Sequence, residues 1–410
     1  MNLRAELARI AGPVAARILS LTRINNRRIQ WNLVKRFTVL LATLLASSAQ
    51  LAGYLLCQSP KALSQTQNQT SEEQALNGFA RMRPIDVHVH IFKTDPEFQA
   101  LLERLNLRLL NILVVDDTLS YRKQLAPQIA DALALVRSSH GYIALCTTFD
   151  PYKFNDSNFD SETVEQLDRD FAQGAVAVKI WKNVGMEIKD RDGKFVMPDD
   201  PKFAPIYKDI ARHGKTLMAH LAEPDVAWGP PDPSDPSWSY YQENPQWFLY
   251  HKPGFPAKQQ ILKARDHVLE ENPNLRVVGV HLGSMEKDLD NIAAHLDRYP
   301  HFAVDTAARM EYLMIAPPEK VRAFLIKYQD RVLYGTDLDL IATANVQASS
   351  KDWQSTYARD WKFLATDETF DSEGRKVHGL ELPETVLQKI FHNNALRWIP
   401  GIVSLERRLR

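Results

Sequence analysis

Two histidines one residue apart, His88 and His90, stand inside the apolar run RPIDVHVHIF (83–92). In an extended strand alternate side chains share a face, so both imidazoles point one way and Val87 and Val89 the other. Two neutral imidazoles projecting together make a chelate for a divalent metal. Other apolar runs end in the same manner: Lys179 closes AVAVK, His220 closes TLMAH, His281 closes VVGVH and Asp337 closes VLYGTD. On the same period-two reading Ala175 and Ala177 share the face of Lys179, Gly279 that of His281 and Gly335 that of Asp337, leaving room for the polar groups. Taken singly each residue has an ordinary structural explanation, as a hydrogen-bonded histidine, an ion-paired lysine or a helix-capping aspartate. Repetition of the rule at five strand ends points instead to one metal centre.

The elements that must position these residues alternate. Strands are expected at 83–92, 109–117, 142–149, 175–181, 215–221, 276–283, 301–307 and 331–337. Amphipathic helical patterns such as SETVEQLDRDFAQ and KDLDNIAAHLDRY lie between them. Strand–helix alternation gives parallel βαβ units, and eight of them predict an α/β fold, a (β/α)8 TIM barrel. An open doubly wound sheet is the alternative, but no glycine-rich dinucleotide fingerprint follows any strand. In a barrel, polar residues at the C-terminal ends of strands 1, 4, 5, 6 and 8 converge on one mouth. Two segments, 222–256 and 338–380, are too long and irregular for ordinary connections and are expected as loops walling that mouth. The first carries Trp228, Trp238, Tyr240, Trp247 and His251, read mainly as packing of an ordered loop. Glu223 and Arg309 are candidate substrate-binding residues, Arg309 as a bidentate clamp for an anion. His140, His213, His267, His295 and His301 fall away from strand ends and are read as surface or structural.

Lys and Arg together number 50 and so do Asp and Glu, which removes the electrostatic case for a nucleic-acid partner. Cys57 and Cys146 both sit at apolar runs and are read as neither a disulfide framework nor zinc thiolates. Residues 1–36 are basic, with Glu6 their only acid, and 37–57 (FTVLLATLLASSAQLAGYLLC) are uncharged over roughly the length of a bilayer core. This predicts a membrane anchor with the catalytic domain outside the cytoplasm, periplasmic or extracellular. The alternative is secretion after signal cleavage near ASSA; an organellar transit peptide shares the Arg-rich character. Residues 58–80 read as a polar linker, and 81–402 as the barrel domain.

DVHVH, VKIW, AHLAEP, GVHLGS and YGTD, on strands 1, 4, 5, 6 and 8, together resemble the amidohydrolase superfamily, more narrowly its amidohydrolase-related family 2 group. FHNNALRWI resembles that group's closing helix. The resemblance spans about residues 82–400. It implies a barrel holding one or two divalent metals, zinc first, with manganese, iron or cobalt as alternatives. His88 and His90 would be first-strand ligands, and His220 and His281 ligands or polarising groups. Lys179 would be a carbamylated bridge in binuclear members. Asp337 would be both ligand and general base. The expected reaction is hydrolysis of a small-molecule amide, lactone or related ester, with metal-bound hydroxide attacking the carbonyl and His281 or the metal stabilising the oxyanion. The alternatives are decarboxylation of a small aromatic or unsaturated acid on the same barrel, or a membrane-tethered binding protein. A homo-oligomer is compatible with the sequence.

Overall fold

Apolar runs that are buried on both faces need helices on one side and a filled interior on the other, and the parallel sheet supplies both. The computed structural model describes residues 60–403 other than Thr94, with side chains from Ser71 onward. Its strands are β1 (Ile85–Ile91), β2 (Arg108–Ile112), β3 (Ile143–Thr148), β4 (Ala177–Ile180), β5 (Thr216–Ala219), β6 (Arg276–Gly279), β7 (Phe302–Asp305), β8 (Val332–Leu333) and β9 (Leu338–Leu340). They form one parallel sheet in the order β8-β7-β6-β5-β4-β3-β2-β1-β9. β8 pairs with β7 and β9 with β1, so the expected eighth strand is one chain path interrupted in its middle. Between the two pieces, Val87 N donates to Tyr334 O (3.0 Å) and Asp337 N to His88 O (2.8 Å). The sheet therefore curls back onto its first strand, consistent with the expected (β/α)8 barrel.

The buried apolar residues fall into two clusters. The smaller draws on every one of β1 to β8, with Val87, Ile112, Cys146, Ala177, Met218, Val278, Ala303 and Leu333 among its members. Only the inside of a curled sheet brings all eight together. The larger cluster lies between sheet and helices and includes Val89, Val178, Leu217, Phe302 and Val304. Ala395, Trp398 and Ile399 of the closing helical segment join the interior cluster. Asn394 Nδ2 donates to Gln329 O and Val332 O, both at 2.7 Å, tying that segment to the start of β8. It closes the end of the sheet opposite the strand C termini.

Two expectations need revision, and a third is not reached. Residues 58–80, expected as a linker, are helical from Pro60 to Arg81. Phe79 in that helix is fully buried and stacks on Tyr357 at 4.9 Å, which the polar composition of the stretch concealed. Residues 338–380 are not one irregular loop. They contain β9, a helix Val346–Ala365 and an antiparallel hairpin Thr369–Ser372 with Arg375–His378. The expected anchor or signal at 37–57 lies outside the described residues; among the described residues no helix is long and apolar enough to cross a membrane.

Candidate metal centre

The strand ends depart from regular backbone where the polar residues emerge. The β1–β2 register shifts between Asp86 and Val89. Asp86 accordingly points outward to Thr336 and Tyr357, Val87 packs in the interior and His88 also turns inward. Simple alternation put Val87 on the outer face with Val89, and the bulge corrects that. Gly279 is likewise not beneath His281. A Cβ there would lie 2.5 Å from Phe302 Cζ in the outer cluster. The chain leaves the pleat after Gly279, and His281, Leu282, Gly283 and Ser284 all have positive φ (55° to 64°). Gly335 does leave the predicted room, since a Cβ on it would sit 3.1 Å from His88 Cβ. Asp337 has φ 68°. Left-handed non-glycine residues of this kind each cost about 1–3 kcal/mol and persist where surrounding contacts over-determine them.

The six predicted residues converge. His88 Nε2 and His90 Nε2 lie 3.3 and 3.2 Å from the same atom, Asp337 Oδ1. Lys179 Nζ is 3.2 Å from His88 Nε2. The His281 ring centroid is 4.8 Å from that of His88 and 4.3 Å from that of His220. Acceptors behind the rings set the tautomers. His88 Nδ1 donates to Asp305 Oδ2 (3.0 Å), His90 Nδ1 to Ile112 O (2.8 Å) and His281 Nδ1 to Ala307 O (2.8 Å). Each therefore turns a lone pair at Nε2 away from its acceptor, as metal-binding histidines do. His220 Nε2 is buried with no hydrogen-bond partner.

Electrostatics favour the same donor set. Burial lowers His90 to about 4 and His220 to about 3, and drives His281 well below the ordinary imidazole range. These rings are neutral at pH 7. Asp337 lies well below the ordinary carboxylate range: burial raises it and the charge of the facing imidazoles of His88, His90 and His281 lowers it, a pull that a divalent cation would take over once those rings are neutral. Burial brings Lys179 down to about 8, against the raising pull of Asp305 and Asp337. Neutral imidazoles around a carboxylate, one nitrogen without a partner, fit a divalent cation such as zinc.

These groups lie in a cavity of about 490 Å³ at the strand C termini, which also reaches Arg122, Trp181, Lys182, Glu223, Tyr240 and Arg309. Glu223 is committed to the protein. It ion-pairs with Lys182, accepts from Tyr241 Oη at 2.6 Å and faces His220 Nε2 at 3.5 Å. Burial opposes ionisation of both partners, yet Lys182 holds Glu223 far below the carboxylate range and is itself raised by it. Tyr240 reaches the cavity, whereas Trp247 packs edge-on to Trp181 (5.4 Å) and Trp228 Nε1 donates to Pro256 O. Trp238 packs edge-on to Phe248 at 5.5 Å, and His251 is exposed. His213, His267, His295 and His301 bond to Asp168, Asp199, Asp266 and Leu269 O respectively, and His140 is exposed.

Sequence reasoning missed three residues. Asp305 ends β7 facing inward, fully buried; its Oδ1 accepts from His281 N (2.7 Å) and Ala307 N (3.2 Å) while Oδ2 takes His88. The strand-end rule that found Asp337 would have found it. Lys182 and Arg122 follow β4 and β2 by two and ten residues, in loops where no pleat points a side chain anywhere in particular.

A family model described as amidohydrolase matches residues 146–400. Among solved structures, 2,6-dihydroxybenzoate decarboxylase from Rhizobium aligns with 14% identity and a TM-score of 0.47, over 77% of this chain and 98% of its own. 5-Carboxyvanillate decarboxylase from Sphingomonas paucimobilis aligns with 14% identity and a TM-score of 0.42, over 78% and 99%. Dihydroorotase from Campylobacter jejuni aligns with 11% identity and a TM-score of 0.39, over 77% and 82%. A comparison of the sequence with curated proteins finds no match.

Proposed function

The chain belongs to the amidohydrolase family, and from that premise we propose that it is a metal-dependent hydrolase of an amide, lactone or related ester. His88, His90, His220, His281 and Asp337 hold the cation. The observation that carries the reading is the meeting of two buried imidazole lone pairs, from His88 and His90, on one oxygen of an ionised Asp337. Lys179 Nζ reaches only one of these acceptors, His88 Nε2 at 3.2 Å, and the rest are costly to bury without a further cation among them. A divalent cation bound there supplies Lewis acidity, polarising a carbonyl oxygen and bringing the pKa of water towards neutrality.

The chain's own groups do the rest. Asp337, its side chain 30% exposed to the cavity, takes a proton from the attacking water as the oxygen–carbon bond forms. It returns that proton to the leaving nitrogen or oxygen as the old bond breaks. His281 has given its Nδ1 hydrogen to Ala307 O, so it acts as a ligand and not as the donor to the oxyanion. Glu223, held by Lys182, places a negative charge 3.5 Å from His220 Nε2. Lys179, 3.2 Å from His88 Nε2, would be the residue to hold a second cation, if its neutral amine adds to carbon dioxide and loses a proton to give a carbamate. Burial lowers Lys179 to about 8, so roughly a tenth of it is the neutral amine at pH 7.

The test is turnover of a panel of lactones, amides and esters by the full-length protein, before and after chelation, beside Asp337→Asn. We expect chelator-sensitive hydrolysis that falls by at least about a hundredfold in the variant. Carbon dioxide release from unsaturated or aromatic acids, with no hydrolysis in the panel, would overturn hydrolysis in favour of decarboxylation.

A further inference from the structure

We propose that the substrate of this cavity carries a carboxylate away from the bond that reacts, and that Arg309 is the group that takes it. The inference rests on reading the cavity as the substrate site of the proposed hydrolase. Arg309 lies just past β7 and lines the cavity, yet it is only 5% exposed. A guanidinium so placed calls for a partner, because a buried unpaired charge is expensive. Its Nη1 donates to Ala308 O at 2.7 Å and its plane lies 5.8 Å from the Tyr312 ring centre. Its Nε is buried with no acceptor. No carboxylate of the described residues forms an ion pair with it.

The acids around it are already taken by other cations. Glu286 and Glu223, whose charges reach Arg309, pair with Lys258 and Lys182. Asp235, which accepts from Tyr312 Oη at 2.5 Å, pairs with Lys287 at 2.6 Å, and Glu311 pairs with Arg359. A protein using Arg309 only to stabilise its fold would leave one of these carboxylates for it. This arrangement leaves the fork to a ligand. A guanidinium with donors left unpartnered, Nε among them, suits a carboxylate, which such a fork can bind by two parallel hydrogen bonds. Arg122 also lines the cavity and its Nε also lacks an acceptor, but the residue is only half-buried and is stacked near Phe92 (5.5 Å) and Tyr121 (5.6 Å), so it contributes field and no closed site.

Binding of benzoate, its neutral isostere benzamide and inorganic phosphate to the full-length protein tests this by calorimetry. Each is measured on metal-loaded and chelator-treated protein, because a carboxylate can also bind a cation directly. Benzoate is expected to bind chelated wild type and to outbind both benzamide and phosphate. Arg309→Met should weaken benzoate at least about tenfold, and Arg309→Lys, which keeps charge but loses the fork, by a similar factor. Arg122→Met should change it about threefold or less. Metal content is measured in every variant. A wild type without metal defeats the hydrolase reading, whereas Arg309→Met with normal metal and unchanged benzoate affinity overturns the clamp alone. Equal losses in Arg309→Met and Arg122→Met would show a diffuse positive field and also overturn it. Should Arg309→Met fail to fold, the lysine variant decides: wild-type affinity in it rejects the fork.

Discussion

Asp305 touches no cavity wall, yet its replacement should disarm the centre. One oxygen holds His88 Nδ1 at 3.0 Å and the other accepts His281 N at 2.7 Å and Ala307 N at 3.2 Å. In Asp305→Asn one of the two acceptors becomes an amide donor. If it faces His88, the ring proton must move to Nε2, the atom that turns towards Asp337. If it faces His281, two backbone hydrogens lose their acceptor and the turn carrying that ligand is displaced. Partners of this kind are worth about ten- to a hundredfold in metal affinity, or about 1.4–2.7 kcal/mol. Asp305→Ala leaves two buried backbone donors unsatisfied in addition, at about 1–3 kcal/mol each. Chelator competition with a zinc indicator reads the first effect, and urea unfolding of chelated protein reads the second. Zinc affinity within twofold of wild type in Asp305→Asn, with stability unchanged in Asp305→Ala, would refute the reasoning.

The remaining predictions concern charge and location. Folded-state pKa values near 4 for His90 and 3 for His220, against 6.5, mean that the unfolded chain binds protons first. Their stability contribution is complete above pH 6.5 and is lost as pH falls towards 3, at roughly 3–5 kcal/mol each. Urea unfolding of chelated protein should therefore weaken from pH 6.5 downward, and His220→Gln should flatten that slope; an unchanged slope contradicts the assignment. Lys182→Met strands the buried Glu223 and should cost about 3–5 kcal/mol, with a second change, Glu223→Gln, recovering part of it in a double-mutant cycle; simple additivity would deny the coupling. For the segment 37–57 we propose a membrane anchor, so full-length protein should remain with membranes through an alkaline wash, whereas release, or a mature chain starting near residue 50, points to secretion.

Much of this centre was legible because its residues end strands, where period-two alternation fixes direction. His88, His90, Lys179, His220, His281 and Asp337 were all found in this way. The rule failed where the backbone stops alternating. A bulge in β1 sends Val87 inward, and the left-handed turn from His281 to Ser284 swings His281 in although Gly279 faces out. It was silent on Lys182, Arg122 and the pairing of Glu223, which depend on loops meeting across the mouth. The helix containing Phe79 was obscured for another reason: its polar residues outnumber the few that pack, so composition resembled a linker. In 338–380 the length was noticed, but the hairpin at 369–378 has an exposed, polar alternation that looks like loop.

Elemental analysis of the purified full-length protein, loaded with zinc or manganese and then passed through gel filtration, tests the central claim most directly. The proposed centre predicts about one or two ions per chain in wild type, with a second ion lost in Lys179→Ala. Almost none should remain when His88 and His90 are both replaced by alanine, as expected for a site whose ligands are preformed and buried. Wild-type protein that retains no stoichiometric metal, or a double variant that binds as much as wild type, would contradict the account.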